Sequence, residues 1–386
     1  MQRVDLPSSV LFCLLPMKKL KIVVVGCGIV GAMIAYELNK QTDADIVVFD
    51  QHQPFQGSTG AALGVLMGAI SGKVKGRTWR LREMGIRRYH SLIPELAEQG
   101  HLVPFNAQGI VSLCYEADKL SRWESLQAKR KAQGWPLEIW SPAQMKERCP
   151  HIAIQRDDGR RVEAAIYSPR DGQVNPVKLG QALVEVARSH GVTFRWNTPV
   201  QTLLIEESRC VGVRTNSDEI NADWVVLSAG LGSSALSDVV DEPLEMIPVL
   251  GQAMKIQMPK AVGNFDFQPV INGDDIQFVP LGEGRYWIGA TVEFPEADMA
   301  EIEPDADGLE TLKQSAAQFC GAIAQAEILE TWSGLRPRPV GQPAPVIKPL
   351  QSVDNVLIAS GHYRNGVLLA PATAQEVCGL VIGGDE

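Results

Sequence analysis

Residues 21–50 constrain the fold more than any other part of the chain. The β-branched run KIVVVG (21–26) leads into GCGIVG (26–31). IVGAMIAYELNK (29–40) then carries apolar residues at helical spacing, ahead of a second β-branched run, DIVVFD (45–50). Strand, glycine turn, helix and strand in that order predict the start of a doubly wound α/β domain that binds a dinucleotide. The three glycines act differently. Gly26 allows the tight turn, Gly28 lets a pyrophosphate approach the backbone, and Gly31 lets the helix lie on the strand. Asp50 ends the second strand nineteen residues after Gly31, where a carboxylate accepts hydrogen bonds from ribose hydroxyls. A glycine-rich turn with only a packing role would need no acid in that register.

At 386 residues, 45% of them hydrophobic, the chain is long enough for two domains or one elaborate one. Its net charge of −9 argues against a nucleic-acid partner, since displacing counterions from phosphates needs a basic field. The basic stretch KGRTWRLREMGIRR (75–88) reads as the solvated side of a helix. Seven scattered cysteines, with no C-x-x-C pair and no histidine at ligand spacing, predict neither disulfides nor a metal site and fit the reducing cytoplasm. The apolar part of SSVLFCLLP (8–16) is too short to cross a bilayer and lacks a signal-cleavage pattern, so Met17 is the expected start and residues 1–16 a disordered or start-site extension. No transmembrane segment is expected.

Further along, GSTGAALGVLMGAISG (57–72) is too small-sided for an ordinary amphipathic helix and implies close backbone approach. Residues 77–150 read as mainly helical, with glycine stops and a Ser-Pro helix start at 141. A helix after DGQVNP (171–176) precedes successive strands to residue 230, and short runs over 246–293 split by Gly and Pro suggest an antiparallel sheet. DADGLETLKQSAAQFCGAIAQAE is expected to be a helix, and NVLIASG (355–361) a last buried strand. The expected division is a nucleotide-binding domain from 17–88, 152–237 and 330–386, and a second domain from 89–151 and 238–329.

The fingerprint alone suits NAD or FAD. No second G-x-G-x-x-G or redox C-x-x-C follows, and the small-residue segment lies just after the acid-bearing strand, which favours FAD. GHYRNGVLLAPATA (361–374) then places a helix N-terminus at a strand end, where its positive dipole end would stabilise negative charge on a reduced flavin. Arg364 there, and Arg336 in the turn-rich WSGLRPRPVGQPAP (332–345), suggest an anionic substrate, although either could serve a structural ion pair.

Taken together, VVVGCGIVGAMIAYEL, GSTGAALGVLMG, DGQVNPVKLGQAL, WSGLRPRP and GHYRNGVLLAPATA resemble the D-amino-acid oxidase superfamily of FAD enzymes, with the greatest similarity to its glycine oxidases of thiamine biosynthesis. The resemblance runs from about residue 20 to the C-terminus. It implies an α/β fold: a Rossmann-like FAD-binding domain with an interleaved α+β substrate domain containing an antiparallel sheet. It also implies contacts from Ile29 and Val30 at the phosphates, Asp50 and Gln51 at the ribose, and Ser58, Thr59, Leu63, Gly64 and Val65 along the phosphates and ring. Val200 would meet the adenine, and Gly361, His362, Tyr363, Arg364, Asn365, Gly366, Val367 and Leu368 the flavin edge. Arg336 matches the family's carboxylate-binding arginine, with Arg364 beside it. No counterpart of a flavin-attaching cysteine segment is found, so non-covalent FAD is expected.

The chain departs from the family pattern at four points, one of them the Asp usual after the arginine turn, which is replaced here. Gln277 stands where a substrate-binding tyrosine is expected, with Tyr286 near enough in sequence to compensate. Lys348 replaces a glycine, and Asp50 stands where Glu is commoner. The resemblance implies oxidative deamination of glycine or another small amino acid (sarcosine, a D-amino acid) with O2 as acceptor, giving an imine or 2-oxo acid, ammonia and hydrogen peroxide, in a homo-oligomer. The alternatives are an amino-acid dehydrogenase serving a quinone or carrier, and a non-catalytic flavin-binding assembly protein.

Overall fold

The computed structural model describes residues 19–294 and 305–383; the extension expected at 1–16 lies outside them. In chain order the elements begin with β1 (Lys21–Val25), α1 (Ile29–Gln41), β2 (Asp45–Phe49), α2 (Ser58–Ala61), β3 (Val65–Leu66) and α3 (Gly76–Glu98). Next come β4 (Phe105–Asn106), β5 (Ile110–Cys114), α4 (Leu120–Ala132), β6 (Glu138–Trp140), α5 (Pro142–Arg148), β7 (Ala164–Ser168), β8 (Gly172–Val174) and α6 (Pro176–Ser189). Then follow β9 (Thr193–Arg195), β10 (Val200–Glu206), β11 (Arg209–Thr215), β12 (Glu219–Asn221), β13 (Trp224–Leu227), α7 (Ser233–Asp238), β14 (Met246–Gln257), β15 (Val270–Gly273), β16 (Ile276–Gly282) and β17 (Arg285–Gly289). The chain closes with α8 (Ala306–Ala317), β18 (Glu327–Pro339), β19 (Val346–Pro349), β20 (Val356–Ser360) and α9 (Gly366–Ile382).

Two large sheets organise these elements. The first runs β19-β20-β13-β1-β2-β9. Within it β20, β13, β1, β2 and β9 are mutually parallel, and only the edge strand β19 is antiparallel. Burial on both faces suits the near-continuous Val/Ile character of β1 and β20. The second sheet runs β18-β14-β17-β16-β15-β5-β7-β6 and is antiparallel except for the β15–β5 pair. Smaller sheets β10-β11-β12 and β3-β8-β4 complete the fold.

Several expectations change. The mainly helical reading of 77–150 misses β5, which is buried at every position and occupies the interior of the second sheet. IVSLC alone is a short apolar run that periodicity cannot assign to strand or helix. Only residues 306–317 of the next expected helix form α8; a 3₁₀ turn follows and then β18. The turn expected at Arg336 is instead a strand: the residue lies within β18, paired opposite Val249 of β14. Pro337 and Pro339 fit there because β18 is an edge strand, so a missing N–H need not break a ladder on its outer side. β18 and β7 both join the second sheet, and α3 runs through residue 88, so the two halves interleave more finely than the expected boundaries.

Helix α9 packs between α1 and α3. Its composition and length, counted from Tyr363 to Ile382, would suffice to cross a bilayer, but most of its surface is buried inside the protein. Contact with α3 is close: a Cβ on Gly85 would sit 2.3 Å from the Leu368 carbonyl oxygen. One turn on, Pro371 lies inside α9 and has no N–H to give the carbonyl four residues earlier, that of Val367. The buried Tyr89 hydroxyl supplies the missing donor at 2.6 Å. Tyr89→Phe should therefore cost about 1–3 kcal/mol, the range for an orphaned buried acceptor. Adding Pro371→Ala, which restores the helical donor, should recover part of that loss in a double-mutant cycle by denaturant unfolding; strict additivity would refute the assignment.

Candidate functional site

The glycine turn sits at the carboxyl end of β1, where Gly26 takes φ +96 and donates to the Phe49 carbonyl at 2.7 Å. A Cβ on Gly31 would lie 1.9 Å from the Gly26 oxygen, so only glycine lets α1 approach the strand this closely. Asp50 braces the turn: one carboxylate oxygen accepts from Cys27 N–H at 2.7 Å and the other from His52 N–H at 2.9 Å. Each oxygen keeps a lone pair for a ribose hydroxyl. The Thr59 hydroxyl accepts from Ile29 N–H at 2.9 Å and would meet a Cβ on Gly28 at 3.1 Å. α1 has no side-chain cap, which leaves the first-turn N–H groups of Val30 and Gly31 to an outside acceptor such as a phosphate. The Asp50 backbone holds Thr198 at 2.9 Å, which brings Val200 alongside, while Gln51 is exposed. These features fit a dinucleotide.

Ser228 was missing from the expected site. Its hydroxyl donates toward the Val25 and Gly26 carbonyls at 3.0 and 2.9 Å and locks the turn from the next parallel strand. The only signal in the sequence is Ser-Ala-Gly at the end of a buried strand.

Segment 57–65 bridges the two large sheets. Ser58 Oγ donates to the Leu335 carbonyl at 2.6 Å, and Trp332 Nε1 to the Ala61 carbonyl at 3.1 Å. Gly64, with φ +69, faces the Val174 carbonyl so closely that a Cβ would lie 1.8 Å away, and Gln173 Nε2 donates to the Leu63 carbonyl at 2.9 Å. Val65 continues from this turn into β3.

The loop from β20 to α9 carries Gly361 (φ +66) and Tyr363 (φ +54) in left-handed conformations, so the backbone reverses there before Gly366 starts the helix. His362 is buried with Nε2 at 2.8 Å from the Thr373 hydroxyl; burial, with Arg77 nearby, pushes its pKa down to about 3, and the ring is neutral. Asn365 accepts from the buried Arg82 at 3.0 Å, a positioning contact that sequence reasoning missed because α3 lies far away in the chain. Val367 and Leu368 are buried in the first turn of α9, facing α3.

Across the second sheet, cross-strand register aligns Trp332, Ala253, Gly289, Gln277, Asn272 and Ser112 in one row. The row faces segment 57–65: a Cβ on Gly289 would meet Leu63 Cδ1 at 3.0 Å, and one on Gly334 would meet Ala61 at 2.3 Å. Arg336 folds over this face, its guanidinium taking the space a Gly251 side chain would fill, and Nη1 donates to the Leu250 carbonyl at 2.7 Å. Burial, then the Arg364 charge, lower its pKa, against smaller opposing effects from Tyr363 and Glu293. Among the described residues no carboxylate forms an ion pair with Arg336; Arg364 lies 4.0 Å from Asp275.

The structure therefore brings Arg336, Arg364 and Gln277 toward one face, but not Tyr286. Tyr286 alternates to the opposite face, stacked on Phe278 at 4.2 Å, with its hydroxyl near the Val262 carbonyl and Gln268 at 3.4 Å. Its expected compensating role is not supported, because strand alternation sends neighbouring side chains to opposite faces. Lys348 lies on the edge strand β19 and pairs with Glu242 at 2.8 Å.

A glycine turn shaped for a dinucleotide on a parallel sheet, joined to a second sheet whose face carries an arginine with no carboxylate partner among the described residues, suits the flavin-dinucleotide oxidoreductase class. The family model described as DAO, FAD dependent oxidoreductase, matches residues 21–380, and the chain belongs to that family. It is 30% identical over 366 residues to the bifunctional protein ThiO/ThiG of Nostoc sp., covering 94% of this chain and 52% of that protein. The chain thus spans about half the length of the curated relatives it matches first. It is 27% identical to glycine oxidase of Bacillus licheniformis, covering 95% and 94% of the two chains. The solved structure of glycine oxidase from Geobacillus kaustophilus superposes with a TM-score of 0.83 at 26% identity, covering 95% of each chain.

Two outcomes follow from this geometry. Gly31→Val should give protein that purifies without its flavin absorption, because its side chain would force α1 off β1. In the second, an unfolded chain takes up a proton on His362 below its ordinary value of about 6.5, whereas the folded one resists until about 3. As pH falls through that window His362 should therefore lower stability by up to about 1.4 kcal/mol per pH unit, and His362→Gln should remove that part of the slope in urea titrations at pH steps between those values.

Proposed function

We propose that this chain catalyses FAD-dependent oxidation of the Cα–N bond of a small amino acid, glycine first, with O2 as acceptor. The carrying observation is Arg336: a half-buried guanidinium with no carboxylate partner among the described residues, on a face floored by Gly251, Ala253 and Gly289. A desolvated cation without a partner is costly, and a substrate carboxylate relieves that cost. Nη1 is held by the Leu250 carbonyl, so Nη2 and Nε remain to grip the carboxylate and orient the α-carbon. Arg336 packs over Gly251 and Leu63 over Gly289, so the face is tight and suits a small substrate. His362 is neutral and committed to Thr373, so it is not placed to act as a base; the amine gives its proton to solvent and reacts in its neutral form.

When bound non-covalently in the cradle formed by Gly28, Val30, Asp50 and Thr59, FAD would supply two-electron acceptor chemistry and transfer to dioxygen. The product imine would hydrolyse to the 2-oxo acid and ammonia. The likeness to a protein named ThiO/ThiG supports a setting in thiamine biosynthesis, and the six described cysteines, all free, suit a reducing cytoplasm.

An anaerobic titration of the purified yellow protein with glycine, sarcosine, D-alanine and D-proline, followed by air, tests this reading. Bleaching by glycine and recovery with peroxide are expected; a flavin that no amine bleaches would refute the reaction. Arg336→Ala should raise KM by about tenfold or more while the flavin stays bound, as loss of a charge-assisted contact implies. Normal turnover by that variant would overturn the anchor.

A further inference from the structure

The row of polar side chains beside the glycine floor has a defined hydrogen-bond direction. Gln277 Nε2 lies 3.0 Å from the Asp275 carbonyl oxygen, which can only accept, so the amide nitrogen rather than the oxygen must occupy that position. The second Nε2 hydrogen goes to Asn272 Oδ1 at 3.1 Å. Asn272 is in turn oriented, with Nδ2 donating to Ser112 Oγ at 3.1 Å; Asn272 is 7% and Ser112 6% exposed. Both Gln277 N–H groups are therefore spent inside the protein, and its Oε1 accepts from no described residue.

Gln277 shares its face with Gly289 and Ala253, as the register shows. The Arg336 guanidinium lies over Gly251, two residues along β14 from Ala253. Two strand spacings and two residue rises separate the Gly251 and Gln277 backbones by about 12 Å. The Arg336 guanidinium lies over one end of this stretch and the Gln277 carboxamide at the other, with Leu63 against Gly289 beside them.

We propose that Gln277 is a specificity-determining residue that meets substrate only as an acceptor, receiving an N–H of the substrate amine while Arg336 holds the carboxylate. Asn272 and Ser112 are positioning residues that prevent the carboxamide from turning its donors outward. A group at the α-position that can donate is selected over one that cannot, because a donor-less group leaves Oε1 desolvated and unpaired. This inference rests on the proposed reading for the placement of substrate on this face, but it can be read out by binding alone.

The probes are glycolate and propionate, which differ by a hydroxyl in place of a methyl at the position of the amine. Each is titrated into the FAD-loaded protein under anaerobic conditions, with the flavin spectrum as readout and glycine added to a parallel sample. Glycolate should bind about tenfold more tightly than propionate to the unaltered protein, the value of one buried hydrogen bond. Gln277→Leu and Gln277→Met should each abolish that ratio, and Asn272→Leu should reduce it while the flavin stays bound. Equal binding of both probes to the unaltered protein, or a ratio that survives in a folded Gln277 variant, would overturn the inference. A ratio that is present and lost as expected, in protein that glycine fails to bleach, would refute the proposed reaction and leave the acceptor assignment standing.

Discussion

The parallel pairing of β1 with β2 and β13, extended to β20, is the constraint on which the rest of the site depends. Parallel strands point their carboxyl ends the same way, so the loops that leave them collect along one edge. The Gly26 turn, Asp50, Ser228 and the 361–366 loop, drawn from positions more than 300 residues apart, meet there for that reason. Close approach then converts the shared edge into a cradle. Gly31 against the Gly26 carbonyl leaves no room for a methyl group, and Ser228 seals the turn from the neighbouring strand.

A second sheet brings the face that carries Arg336 to that edge through β18 and the short segment 57–65. Ser58 and Trp332 tie the segment to β18, and the same strand carries Arg336 over Gly251. Small residues do the shaping here: Gly251, Ala253, Gly289 and Gly334 let segment 57–65 and the Arg336 guanidinium occupy space that side chains would fill. The shape of this face is therefore set by what its small residues lack as well as by the side chains that project over it.

The buried and half-buried arginines differ in how they are satisfied. Arg130 is fully buried, but it donates to the Ala69, Ser71 and Lys73 carbonyls and to Gln133, and lies 3.5 Å over the Trp79 ring. Arg156 is closed off by Asp158 and Asp274. Arg336, half-buried, has one carbonyl and no described carboxylate, and the proposed carboxylate anchor rests on that difference. Composition cannot make that distinction, and it misleads equally for α9, whose apolar length suits a membrane while its surroundings bury it in the core between α1 and α3.

By itself the sequence determined the parallel dinucleotide-binding sheet, the glycine cradle with Asp50, the capped helix α6 and the helix that follows the 361–366 loop, because each of these is encoded by local spacing: strand run, glycine turn, helical period, proline start. It also singled out Arg336, Arg364 and Gln277 as residue types. Only the tertiary structure decided that Arg336 lies on a strand rather than a turn, that β5 is sheet, that Tyr286 faces away, that Ser228 bonds the glycine turn and Arg82 bonds Asn365, and that Asn272 bonds Ser112. Those facts depend on strand register and on which face a residue occupies. A one-residue slip in pairing would turn each strand's side chains to the other face, and the register is fixed by partners that lie tens to hundreds of residues away.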